Sequence, residues 1–139
     1  MSELYNIKIL RFASSIPHLE RLDNPDVTIA KTSRICGSRV TVDVTFKGGK
    51  ISNFGQEVKA CALGQASCSI VGNHVIGQTM ASFEHIKNAM DKMLKEGGPV
   101  PYGDWADLEI FLPAQDHKSR HTSIMLPFEA ILEAFKTKC

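Results

Sequence analysis

The chain has 139 residues, with 16 Lys and Arg against 15 Asp and Glu and a formal net charge of +1. That length suits a single domain over residues 1–139, able to bury about two-thirds of its unfolded surface without staples. Charges of both signs are dispersed without a basic stripe, which argues against a nucleic-acid partner. Apolar runs fall far short of the ~20 residues that span a bilayer and no signal-peptide pattern opens the sequence, so a cytoplasmic protein with no membrane partner is expected.

Leu4, Ile7, Leu10 and Ala13 recur every three positions and predict an amphipathic helix, with Ser2 as N-cap and Pro17 marking its end. Asp23-Asn24-Pro25 reads as a turn, followed by an irregular stretch to Ile35. Val40, Val42, Val44 and Phe46 alternate with Thr41, Asp43 and Thr45, which gives a strand with one buried face. Gly48-Gly49 supplies the turn of a tight hairpin, so Ile51–Val58 returns antiparallel, with Gly55 at a bulge. A third strand fits either Val27–Ala30 or Glu57–Ala60.

After Cys61 a helix with small or apolar positions follows, then a second one with Phe83, Ile86, Met90, Met93 and Leu94 on one face. Ser82 is its expected N-cap and Gly97-Gly98-Pro99 its stop. Asp104 is read as capping a short helix with Trp105, Leu108 and Ile110. A last helix carries Ile124, Phe128, Ile131, Leu132 and Phe135, and Pro127 places its start near Thr122-Ser123. A small antiparallel sheet of about three strands with helices on one face is the α+β class.

Four cysteines, Cys36, Cys61, Cys68 and Cys139, are too few for a disulfide scaffold and suit free thiols or metal ligands. Cys36 precedes the first confident strand and Cys61 ends the second, so the hairpin should bring them together. Cys61 also opens a helix, where the dipole favours a thiolate. Two such thiols make a half-site for Zn²⁺ or an iron–sulfur cluster. The plainer reading is that both are small buried hydrophobes, and spacing alone does not decide between the two. Cys68 reads as a helix-packing residue, Cys139 as an exposed terminal thiol, and Trp105, Phe111 and Phe128 as core aromatics.

The ordered set Asp23-Asn24-Pro25, Cys36-Gly37 before an alternating strand, Ala60-Cys61-Ala62 before a small-residue helix with Ala66-Ser67-x-Ser69, and Arg120-x-x-Ser123-x-x-Leu126-x-x-x-Ala130 resembles the U-type iron–sulfur cluster assembly scaffolds (NifU N-terminal domain, IscU, SufU) over about Leu4–Ala134. The resemblance implies a SufE/NifU-like fold and a site of three cysteines and an aspartate. Carried over, Cys36 and Cys61 match the first two cysteines, Ser38 stands where the aspartate would be, and Ser123, preceded by Thr122, stands at the third cysteine. Arg120 falls where the SufU branch also has an arginine. His121 and Cys68 are further auxiliary candidates, because hydroxyls are poor ligands at neutral pH and a tetrahedral ion or cluster wants four donors.

The function this implies is a scaffold or carrier that is not an enzyme, holding iron and sulfide through Cys36 and Cys61. It would receive sulfur from a cysteine desulfurase and pass the cluster to apo iron–sulfur proteins. The cargo would be a transient 2Fe–2S cluster or Zn²⁺, weakly held or absent in the isolated protein, and a homo-oligomer would repair the missing ligands. Two alternatives stand beside it: a SufE-like persulfide relay on Cys36, and a degenerate paralogue that serves as a docking or regulatory partner. No hydrolase constellation or phosphate-binding glycine loop competes.

Overall fold

A computed structural model describes residues 6–35 and 37–138. The order is α1 (Ile7–Ala13), β1 (Val27–Thr32), β2 (Arg39–Lys47), β3 (Lys50–Lys59), α2 (Ala62–His74), α3 (Met80–Glu96), a 3-10 segment (Gly103–Asp116) and α4 (Lys118–Lys138). The three strands form one antiparallel sheet in the order β1-β2-β3. The third strand is therefore Val27–Thr32, and Glu57–Lys59 belongs to β3.

Gly48 and Gly49 both take positive φ, +61° and +78°, which closes the two-residue turn between the paired Lys47 and Lys50. The bulge sits elsewhere than expected. Thr45 pairs with Asn53 and Phe46 with Ile51, so Ser52 is the extra residue and Gly55 stays in register opposite Asp43. Gly55 is needed for another reason: a Cβ there would lie 2.3 Å from the Glu20 carbonyl oxygen. The strap His18–Leu22 crosses the sheet at this point, with Gln56 N–H donating to the His18 carbonyl at 2.8 Å.

On β2, Val40, Val42 and Val44 are fully buried, as their alternation predicts. Asp43, on the opposite face, is buried as well. It accepts from Arg21 Nε at 2.5 Å, Arg21 Nη2 at 3.0 Å, the Leu22 N–H at 3.0 Å and Thr28 Oγ1 at 2.6 Å. Burial alone would raise the Asp43 carboxyl, but the Arg21, Thr28 and Leu22 hydrogen bonds and the Arg21 charge hold it below the usual carboxylate range.

The first helix differs from its expected face. Asn6 caps it through its side chain, accepting from the Ile9 N–H at 3.1 Å. Ile9 is fully buried while Ile7 and Leu10 are 63% and 52% exposed. The every-third-residue pattern misses the buried side because a helix of 7 residues presents about two turns, too few for periodicity to define a face. Ser2 and Leu4 lie outside the described residues.

Helix α3 starts at Met80 with Thr79 as N-cap, and Ser82 is the third residue of a reciprocal capping box rather than the cap. Gly97 ends it in the left-handed region, φ +67°. Tyr102, not Asp104, precedes the 3-10 segment, without a side-chain cap. The last helix begins at Lys118, earlier than Pro127 suggests, and carries Pro127 buried in its interior. Proline has no N–H, so the α-helical bond to the Ser123 carbonyl cannot form.

Helix α4 packs on β1, β2, α2 and α3, and α2 packs on β3. Phe83 stacks on Phe128, and both lie near Trp105. Met90, Met93, Leu94, Phe111, Ile124, Ile131, Leu132 and Phe135 complete the core expected of them. No described helix is long and apolar enough to cross a membrane.

Candidate functional site

Arg39 at the start of β2 pairs with Lys59 at the end of β3, so the outer ends of the hairpin are neighbours, as the sequence requires. The loop entering β2 is closed by Ser33 N–H donating to the Ser38 carbonyl and Gly37 N–H to the Ser33 carbonyl, both at 2.8 Å, with Gly37 at φ +72°. Cys36, the first of the two expected ligands, lies outside the described residues, as does Cys139.

Cys61 is the N-cap residue of the 13-residue helix α2 and makes no side-chain capping bond. Its half-buried thiol lies 3.4 Å from Ser123 Oγ, and Ser123 Oγ lies 3.2 Å from Ser38 Oγ. Three elements thus converge: the loop before β2, the first turn of α2 and the second turn of α4. Ser38 and Ser123 are buried. The residues singled out as stand-ins for the aspartate and the third cysteine meet Cys61 at one rim.

Gly64 makes this meeting sterically feasible. A Cβ at that position would come within 2.6 Å of Ser123 Oγ and 2.8 Å of Ala60 Cβ. Sequence reading passes over Gly64, although a glycine inside a helix, where it weakens the helix, is itself a sign of close approach. Nearby, Ser67 Oγ donates to the Ile124 carbonyl at 2.6 Å and ties α2 to α4.

The other auxiliary candidates are placed differently. Cys68 is completely buried in the core cluster, and burial pushes its thiol well up from the ordinary cysteine range. It is a packing residue, because i+7 from Cys61 on this helix points into the interior. His121 is buried, and its Nε2 donates to the Ala114 carbonyl at 2.8 Å. With Thr122, Lys95, Lys118 and Met125 it lines a cleft of about 450 Å³, rather than hydrogen-bonding to the Cys61–Ser123 group. Arg120 is half-buried, and its N–H donates to the His117 carbonyl at 2.9 Å.

Among the described residues no group of three or more His, Cys, Asp or Glu side chains is placed to hold a metal ion. One thiol and two neutral hydroxyls do not close a tetrahedral Zn²⁺ site or match the thiolate set of a cluster. What the described rim offers is a half-buried thiol at a helix start with two buried hydroxyls behind it.

No family model matches the chain. A curated relative, the iron–sulfur cluster assembly scaffold protein IscU of Thermotoga maritima, is 22% identical over 133 residues, covering 96% of this chain and 93% of its own. The crystal structure of a putative iron–sulfur cluster assembly scaffold protein for the SUF system from Fervidobacterium islandicum AW-1 is 24% identical and superposes with a TM-score of 0.84, covering 96% of this chain and 98% of that one. The crystal structure of a nitrogen-fixing NifU-like protein (N-terminal) from Brucella abortus is 41% identical, covers 99% of this chain and 95% of that chain, and superposes with a TM-score of 0.95. With that identity over that length, on an α+β fold whose serine stand-ins gather around Cys61, the chain belongs to the U-type, NifU-like iron–sulfur cluster assembly scaffold family.

Proposed function

We propose that this protein is a cytoplasmic scaffold or carrier in iron–sulfur cluster assembly, with Cys61 and Cys36 as the thiolates that grip iron and sulfide. The observation that carries the reading is the convergence of Cys61, Ser123 and Ser38 at the outer end of the hairpin. Family ligand positions scattered over 86 residues of sequence meet at one point, and they do so around a surviving thiol. Serines at two of those positions leave the chain short of donors, so cargo is held more weakly than by a full cysteine set and is completed by a client, a small thiol or a second copy. The partners are a cysteine desulfurase, which supplies sulfur, and apo iron–sulfur proteins, which receive the cluster.

A second reading draws on the same shortage of ligands: a persulfide relay on Cys36. Its thiolate attacks the terminal sulfur of the donor's persulfide, a new S–S bond forms on Cys36, and the donor leaves as a thiolate. Anaerobic reconstitution with iron, sulfide and a cysteine desulfurase separates the two. Sulfur-to-iron charge-transfer bands in the wild type, lost in both Cys36→Ser and Cys61→Ser, are the expected result. Persulfide on Cys36 without bands, unaffected by Cys61→Ser, assigns the relay instead. If the wild type and both variants show neither bands nor persulfide, the protein is a docking partner that carries no cargo.

A further inference from the structure

We propose that Ser123 is the positioning residue for Cys61, its buried hydroxyl fixing the direction in which the sulfur is presented to cargo. This rests on the scaffold reading and gives Ser123 a role beyond its place in that convergence. A serine hydroxyl carries one proton and two lone pairs. Ser123 stands between two partners, Cys61 Sγ at 3.4 Å and Ser38 Oγ at 3.2 Å, and either atom of each pair can be the donor.

Loading the site removes that ambiguity. A sulfur that is ligated or bears sulfane sulfur has lost its S–H proton and can only accept. The Ser123 proton then turns to the sulfur, and its lone pairs face the Ser38 hydroxyl. The string becomes directional, Ser38 to Ser123 to Cys61, and charge-assisted at its end. Ser123 is fully buried, so bulk water does not compete for its proton.

Two backbone features hold the hydroxyl there. Gly64 leaves the space it occupies, since a Cβ would sit 2.6 Å from Ser123 Oγ. Ser67, bonded to the Ile124 carbonyl, pins α4 against α2 one residue further on. Cys61 itself makes no capping bond that would orient its side chain. The hydroxyl therefore selects the thiol's rotamer.

The test uses the full chain. In metal-free protein, Hα–Hβ couplings of Cys61 should report one dominant χ1 rotamer in the wild type and averaging in Ser123→Ala. Gly64→Ala should reproduce the averaging by displacing the hydroxyl. Cys68→Ser, which destabilises the same helix from its buried side without touching the string, should lower the melting temperature and leave the Cys61 couplings unchanged. After anaerobic loading with iron and sulfide, the half-life of the charge-transfer bands under EDTA should fall roughly tenfold in Ser123→Ala, the loss of one hydrogen bond to a charged acceptor. A single rotamer retained in Ser123→Ala, or averaging with an unchanged half-life, overturns the proposal. Absence of bands in the wild type sinks the scaffold reading instead, and the coupling comparison still decides whether Ser123 orients Cys61.

Discussion

Asp43 and Ser123 are both buried polar side chains with partners distant in sequence, and they are held in opposite ways. Asp43 takes four donors at 2.5–3.0 Å, two of them from the Arg21 guanidinium. Ser123 has two longer contacts of undecided direction, at 3.2 and 3.4 Å. The first group is saturated and its charge compensated, so it can do little except hold the strap to the sheet. The second keeps unspent hydrogen-bonding capacity beside a half-buried thiol, and its protons can rearrange when the charge on sulfur changes. A saturated polar cluster has nothing left to offer a ligand, whereas one with spare hydrogen-bonding capacity has.

The largest effect that separates the two regions belongs to Asp43. Asp43→Ala leaves the Leu22 N–H and Thr28 hydroxyl without their acceptor and Arg21 without its main counter-charge. Because Arg21 is half-exposed and can rehydrate, the cost stays near the lower end for a broken buried pair, about 3 kcal/mol in urea unfolding. Asp43→Asn keeps the shape and should lose less.

The same carboxylate sets an acid limit. Its folded pKa is depressed, so its contribution is complete above the unfolded carboxylate value of about 3.9 and is lost as pH falls through the lower folded value. The unfolded chain binds the proton first, which makes stability fall with falling pH in that window. Unfolding midpoints measured from pH 5 to pH 2 should drop more steeply in the wild type than in Asp43→Asn.

Next in size is the contrast between two glycines. Gly55→Ala drives a Cβ against the Glu20 carbonyl, backbone that can move only if the strap lifts. About 2 kcal/mol and a lower melting temperature are expected. Gly64→Ala meets the end of the Ser123 side chain and the Ala60 methyl, groups that yield with smaller shifts. Its stability loss should be less than that of Gly55→Ala, while its effect on cargo retention should be greater. Thermal melts beside band half-lives on the same two proteins would show the crossing.

How far the sequence reveals this arrangement depends on the range of the interaction involved. The hairpin, the buried valines of β2 and the helical stripe of α3 follow from local periodicity and turn chemistry, and they stand as read. Asp43 reads as solvent-facing because alternation describes one face of a sheet and says nothing about a strap that covers the other. Pro127 points to a late helix start because proline usually sits in a first turn; here the packed core around Phe128 and Phe135 carries the helix through it. The family resemblance picks out Ser38, Cys61 and Ser123 as positions in the sequence, and in the fold Ser123 contacts both Cys61 and Ser38. The close approach at Gly64 is only faintly marked, because a steric vacancy between two helices leaves no more than a helical glycine in the sequence. His121, adjacent to Ser123 in the chain, illustrates the converse: neighbours along a helix point in different directions, and its ring goes to Ala114.

Cys68 and Cys61 provide the finest comparison, two thiols on one helix. Cys68, with its thiol pushed up by burial, should stay unmodified by iodoacetamide at pH 8 in native protein while Cys61 is alkylated, as read by peptide mass spectrometry. Cys68→Ser should cost about 1 kcal/mol by placing a hydroxyl in an apolar core. Cys61→Ser should cost nothing in stability. Serine is a preferred N-cap and cysteine is not, so its hydroxyl can accept the first-turn N–H that the thiol leaves unbonded, with a gain of about 0.5 kcal/mol. A urea midpoint at or above the wild-type value, in a protein that no longer retains iron and sulfide, would show that the sulfur at this helix start is kept for what it binds, at a small expense to the helix it begins.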